Sequence, residues 1–245
     1  ARYRKEATGG LDDTVLRDMY DRLVYLRGLE ARREEITHLV EEQDKMTPEL
    51  KEAIQKAQTM TELEDIYRPY RPKRRTRATI AKEKGLEPLA DILWNQDRKT
   101  GNVEELARAF VNPEMGVETV EDAIGFALDI LAERISDDAD HRKFIREYTW
   151  RHGILETKAA KEEASVYEMY YDYSEAVNRI VPHRILAINR GEAEKYLSVK
   201  IRLEAEEAIR LLTGRVILRP SIGSDLLKRA TEDSPACQQP YGLFF

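Results

Sequence analysis

YRPYRPKRRTRATIA, residues 67–81, divides the chain, and the rest is read outward from it. Arg68, Arg71, Lys73, Arg74, Arg75 and Arg77 stand close together with no acid among them, and Tyr67 and Tyr70 interleave with them. Pro69 and Pro72 each fix φ, lack an N–H and push the preceding residue out of the α region. A regular helix therefore cannot run through the stretch, and an extended, stiffened connector between helices is expected. Concentrated cations displace counterions from phosphates, and aromatic rings can stack on bases. Tyr67, Arg68, Tyr70, Arg71, Lys73, Arg74, Arg75 and Arg77 form the candidate nucleic-acid-binding set. A second reading stays open, in which the arginines clamp neighbouring acidic helices.

The charge balance sets this strip apart. Residues 66–84 hold eight cations against the single acid Glu83, a local charge of +7. The whole chain carries −6, which leaves −13 elsewhere. A pI near 5.5 argues against a whole-surface nucleic-acid binder, so such contact must be local. With 245 residues, 35% of them charged, and a mean hydropathy of −0.61, the chain can bury a sizeable core but does not read as a membrane protein. The lone Cys237 cannot form an internal disulfide, which fits a reducing cytoplasm. The start, with neither Met nor a signal peptide, reads as cut from a longer protein.

Helical periodicity dominates. Gly9-Gly10 is a turn, and Asp12, Asp13 and Thr14 offer caps to a long amphipathic helix reaching Gln43 through Leu16, Met19, Leu23, Leu26, Leu29, Ile36, Leu39 and Val40. Thr47 and Pro48 start a second helix, and Thr61 with Glu64 reads as the capping box of a third. After the connector, Thr79 opens a helix that Gly85 closes, and Pro88 lies in the first turn of the next. Asn102 caps a helix over 103–110. Thr119 with Asp122 caps a strongly apolar one through Ile124, Leu128, Leu131 and Ile135, and a further helix runs over 139–152. Charged residues 158–169 and residues 175–180, with Ser174 as cap, are expected to be helical. Residues 182–191 favour helix over strand. Residues 196–203 alternate apolar and polar, the best strand signal in the chain. Helices over 204–212, ended by Gly214, and 225–230, capped by Ser224, complete the pattern. The predicted class is mainly α, with at most one or two short strands near 185–203.

Little else carries chemistry. Tyr167, Tyr170, Tyr171 and Tyr173 crowd together, and packing outweighs base stacking as their role. His38, His141 and His152 have no partners at ligand spacing. The sequence holds no P-loop, no dinucleotide fingerprint, no Gly-x-Ser-x-Gly and no His-Glu-x-x-His. Its adjacent acidic pairs point in different directions on a helix. No catalytic residue, cofactor or metal is expected, and the chain reads as a non-enzyme.

ARYRKEATGGLDD (1–13), TELED (61–65), PKRRTRATIAKEKGLEPLA (72–90), YSE (173–175) and HRILAINRGE (183–192) together resemble the N-terminal region of the bacterial Tex family. These are transcription accessory proteins related to a eukaryotic transcription elongation factor. The similarity covers roughly residues 1–233. It implies a cytoplasmic, multi-domain nucleic-acid-binding protein whose helical start includes helix-turn-helix-like units and a segment before Ala1. A ribonuclease-H-like domain, a helix-hairpin-helix unit and an OB-fold RNA-binding domain would follow. The implied organisation is a helical region over 1–155, a connecting segment with a short strand over 156–203, and an incomplete helical segment over 204–245. The sequence departs from the family after Ser234. The implied partners are RNA or DNA, through the parent protein, and a protein of the transcription machinery, with no membrane.

Overall fold

The computed structural model describes residues 12–72, 75–161 and 163–234. The Gly9-Gly10 turn, Lys73, Arg74 and the tail after Ser234 lie outside the described residues. The chain divides into two compact units, Ala1–Arg71 and Pro72–Phe245.

Among the described residues, three helices build the first unit: α1 (Asp13–Glu41), α2 (Pro48–Lys56) and α3 (Met60–Tyr67). Asp12 caps α1 by accepting the Asp13 N–H at 2.7 Å, and Thr47 caps α2 by accepting the Leu50 N–H at 3.2 Å. Leu29, Ile36 and Val40 of α1 meet Ile54, Ala57, Leu63 and Tyr67 in a small core. The Arg33 guanidinium closes the end of α2, donating to the carbonyls of Ile54 at 3.1 Å and Ala57 at 2.8 Å, where a helix has no backbone donors left. The cap of α3 is Thr59, two residues before the expected Thr61. The Thr-x-x-Glu pattern occurs twice, at 59–62 and 61–64, and the earlier copy is used. Thr59 accepts the Glu62 N–H, and the Glu62 carboxylate accepts the Gln58 N–H.

The second unit contains α4 (Arg77–Glu83), α5 (Glu87–Asn95), α6 (Val103–Arg108), α7 (Val120–Asp137), α8 (Ala139–His152), α9 (Pro182–Ala193), α10 (Ala205–Val216) and α11 (Ser224–Glu232). Helix α7 is its axis. Ala123, Ala127, Leu128, Ile130, Leu131, Ala132 and Ile135 are all buried, and α4, α5, α6, α8 and α11 pack around them. Thr119 and Asp122 form the expected capping box with both bonds at 3.0 Å. Gly85, at φ +82°, ends α4 with the bonds Gly85 N–H to Lys82 O and Leu86 N–H to Ala81 O, a Schellman arrangement.

The mainly α class stands, with one three-stranded antiparallel sheet of order β2-β1-β3: β1 (Ile154–Ala159), β2 (Asp172–Ala176) and β3 (Leu197–Arg202). Glu156 lies opposite both Ser174 and Lys200. Strand β3 and helix α9 match expectation, but the described residues of 158–169 hold only the start of a 3₁₀ turn, Glu168–Tyr170, and 175–180 is not an α-helix. Their charges belong to strand ends and a loop, and the pairing that holds β1 and β2 is non-local, so no local period reveals it. Helix α10 runs through Gly214 to Val216, and Gly223 rather than Ser224 sits at the α11 cap position. At Gly191 a Cβ would lie 2.7 Å from Leu197, so glycine lets α9 approach β3.

One buried side chain joins distant segments of this unit. Gln96, at φ 54° just past α5, donates to the Val216 carbonyl at 2.8 Å and accepts the N–H groups of Leu218 and Arg219 at 2.9 and 3.0 Å. Gln96→Leu keeps the volume but leaves three backbone groups without these bonds. It should cost about 2–4 kcal/mol, read as a lowered melting temperature by calorimetry. An unchanged transition would show that the latch contributes nothing.

Candidate nucleic-acid interface

The basic strip is not a continuous extended strand. Helix α3 runs into one 3₁₀ turn, Arg68–Tyr70, and the chain becomes extended at Arg71 with φ −66° and ψ 134°. Pro69 fits there because a first-turn position needs no N–H. Gln43 donates to the Tyr70 carbonyl at 3.0 Å and ties this turn to the end of α1. Arg68 and Arg71 are exposed and Tyr70 is half-buried.

Tyr67 does not present its ring as the sequence suggested. It is 4% exposed in the core of the first unit, with the Arg32 guanidinium 5.4 Å from its ring centroid. Arg32 in turn donates to Glu64 at 2.6 Å and lies 2.8 Å from Glu35. Those two carboxylates, Glu64 first, hold the Arg32 guanidinium charged more firmly than usual. Tyr67 is thus the last apolar position of α3, and a base cannot reach it.

Past the undescribed Lys73 and Arg74, Thr76 caps α4 in place of the expected Thr79. Its hydroxyl accepts the Thr79 N–H at 3.1 Å and donates to Glu133 at 3.0 Å. The earlier cap places Arg77 in the first turn of α4, where its side chain is 82% exposed and 3.6 Å from Asp129. Arg75 is 69% exposed and 2.8 Å from Glu83. Lys82 reaches Glu133 at 3.9 Å and Glu87 at 4.0 Å. The strip's second half is therefore both solvent-facing and paired. Burial raises the pKa of Asp129, Arg77 opposes the rise, and Asp233 adds to it.

Two other groups of residues singled out by sequence resolve into packing. Tyr167 and Tyr170 are buried with Ile188, Leu197 and Val199, and Tyr171 and Tyr173 lie against them. The YSE and HR segments meet: Arg184 of α9 donates to Glu175 at 2.9 Å and to the Tyr173 hydroxyl at 3.2 Å, and that hydroxyl donates to Glu175. The hydroxyl and then the guanidinium hold the Glu175 carboxyl below its ordinary range. Among the described residues no cluster of His, Cys, Asp and Glu could hold a metal ion, and no helix is long and apolar enough to cross a membrane. Sequence reading passed over Trp150 on α8, which is 53% exposed. The available signal was its spacing from Arg146 and Lys143, four and seven residues earlier, on a charged helix face.

Two family models match the sequence: Tex-like protein N-terminal domain over residues 1–41, and Tex central region-like over residues 98–229. A Bacillus subtilis protein, "Uncharacterized protein YdcI", is 41% identical over 96% of this chain and 33% of its own length. The "Transcriptional accessory protein Tex" of Neisseria gonorrhoeae is 39% identical over 84% of this chain and 27% of its own. The human "S1 RNA-binding domain-containing protein 1" is 31% identical over 82% of this chain and 21% of its own. The chain belongs to the Tex family and spans a third or less of the length of these relatives. The basic strip falls between the two matched stretches.

Two predictions follow from this geometry. Tyr67→Ala should destabilise the first unit by about 3–5 kcal/mol, as loss of a buried aromatic ring does, and limited proteolysis within 12–71 would register it. A variant as resistant as the parent would show that the ring is not core. Arg77→Ala should raise the Asp129 pKa further, because the one neighbour that favours its charge is gone. A carboxyl raised by burial contributes stability that is present at low pH and lost as pH rises through its folded pKa. The variant should therefore lose more stability than the parent as pH rises from acid through the Asp129 transition. Carbon-13 NMR titration of Asp129 would detect the shift, and an unmoved titration would disprove the pair.

Proposed function

We propose that this chain provides auxiliary, sequence-independent nucleic-acid contact within a larger cytoplasmic Tex-family transcription accessory protein. Arg68, Arg71, Lys73, Arg74, Arg75 and Arg77 supply the charge, and the half-buried Tyr70 is the aromatic neighbour on the strip. The observation that carries the reading is the state of Arg75 and Arg77, whose side chains are 69% and 82% exposed although each has an acidic neighbour. The Arg75–Glu83 pair is exposed on both sides, and such pairs are worth about 0–1 kcal/mol, so a phosphate can replace Glu83 at little cost, whereas replacing the half-buried Asp129 beside Arg77 costs more. The name of the human relative, which contains "RNA-binding", supports nucleic acid as the ligand of the parent protein. The role is one of binding, with RNA and DNA both eligible.

A second reading, a scaffold for intramolecular or transcription-protein contacts, draws on α1. Val15, Met19, Tyr20, Leu23, Val24 and Leu26 along its first half are 43–64% exposed, an apolar surface unlike a solvated helix face. The salt dependence of binding separates the two readings. Six phosphate contacts on a single strand give a log–log slope of at most about −4, and Arg75→Ala with Arg77→Ala should flatten it by up to about 1.4. Fluorescence anisotropy with a labelled single strand, measured across salt concentrations, reads both. If the double variant binds with unchanged affinity and slope, the strip is not a nucleic-acid contact and the scaffold reading takes its place.

A further inference from the structure

The nucleic-acid reading above leaves unassigned a second aromatic and cationic surface, on α8. Trp150 is 53% exposed near the C-terminal end of that helix, in a shallow depression lined by Arg146, Glu147 and Arg151. Lys143, Arg146, Glu147 and Trp150 share a helix face by their spacing of three and four residues. Arg151 is exposed beside them, and its carbonyl accepts the side-chain N–H of Asn178 at 3.3 Å. The Val177 N–H donates to the Gly153 carbonyl at 2.9 Å, so the segment carrying the exposed Arg179 is tied to the same end of α8. The surface holds Lys143, Arg146, Arg151 and Arg179 against Asp140 and Glu147, with Lys143 and Arg146 already engaged by neighbours, in a chain whose net charge is −6.

The helix beneath Trp150 is seated on the core. The neighbouring Thr149 and Ile145 are fully buried, and the Thr149 hydroxyl donates to the Ile145 carbonyl at 2.8 Å. The other tryptophan, Trp94, is half-buried against the core with the Arg134 guanidinium 5.4 Å from its ring. A tryptophan is usually well covered, because its large ring gains most from burial. One left half in water on a core-seated helix, beside Arg146 and Arg151, is not a core residue out of place. Protein-binding surfaces and single-strand binders both use tryptophan and arginine, and the excess of cations over acids on this surface is the feature that fits a phosphate backbone.

We infer that Trp150 is a stacking platform for an unpaired base, with the exposed Arg151 and Arg179 on the flanking phosphates. The ligand is single-stranded nucleic acid, and a duplex is disfavoured because its bases are already stacked. This contact extends the reading of the basic strip but has a separate readout. Trp150 fluorescence is to be titrated with oligo-uridylate and oligo-thymidylate twelve-mers at low salt, beside a duplex of equal length and anisotropy of labelled strands. Quenching by either single strand and not by the duplex is the expected result. Trp150→Ala should weaken binding about 5- to 100-fold. Trp150→Phe should keep affinity within about threefold while abolishing the quench, with Trp94 emission left as internal control. Binding detected by anisotropy without quenching, or Trp150→Ala with parental affinity, overturns the platform. If Arg75→Ala with Arg77→Ala changes nothing while Trp150→Ala weakens binding, the strip fails and the platform stands; the reverse pattern rejects the platform alone. No binding of single strands by either readout overturns both.

Discussion

A helix buried around most of its circumference has to be small where its neighbours come close and apolar wherever they touch. Helix α7 meets that constraint, and the second unit is arranged around it. Ala123 and Ala127 are fully buried at a spacing of four, leaving room for neighbouring backbones, while Ile130, Leu131 and Ile135 fill the spaces further along. Five helices take their places by covering this surface. Its half-buried acids then fall where those neighbours bring cations: Asp129 and Glu133 meet Arg77 and Lys82 of α4. The packing that buries α7 thus also decides which acids the basic strip encounters. Arg75 finds its acid, Glu83, on α4 itself, whereas the acids that meet Arg77 and Lys82 are set by the packing of α7.

The helices were legible where a local device marks them. Thr47 with Pro48, Asn102, Thr119 with Asp122, and Gly85 each satisfy backbone groups within four residues, so a window of sequence contains the whole interaction. The first two strands were not legible for the opposite reason. Ile154–Ala159 is stabilised by partners at 172–176 and 197–202, and its lysine, glutamate and threonine resemble a solvated helix when read alone. Where two local devices overlap, as at Thr59 and Thr61 or at Thr76 and Thr79, sequence supplies both and tertiary contacts choose. Glu64 is engaged by Arg32 and the Thr76 hydroxyl by Glu133, and in each case the earlier cap is the one used.

Charge was easier to read than exposure. The concentration of arginines in 67–81 is visible in the sequence, and those described in the structure are exposed. Which aromatic faces water was not visible. Tyr67 and Tyr70 stand three apart in the same motif, yet Tyr67 completes the apolar stripe of α3 and is buried, while Tyr70 follows in the 3₁₀ turn. Trp150 shows the converse. It lies one residue past the fully buried Thr149, and that step of 100° carries it from the core to the charged face.

The acids around the strip also shape how it meets a polyanion. A free arginine that binds a phosphate displaces counterions from the nucleic acid, and the full electrostatic gain appears as salt dependence. Arg75 and Arg77 begin beside Glu83 and Asp129. When a phosphate replaces the carboxylate, the freed acid attracts a cation from solution, and that uptake cancels part of the release. Each paired arginine therefore adds less to the salt slope than an unpaired one, and its net gain in affinity is smaller. Asp129 is the sharper case, because its side chain is 25% exposed and burial already disfavours its charge. Losing Arg77 to a phosphate leaves that charge less compensated, so binding at Arg77 is coupled to proton uptake at Asp129. On the proposed reading, phosphate binding at Arg77 should therefore strengthen as pH falls toward protonation of Asp129, approaching but not exceeding what the cation count allows.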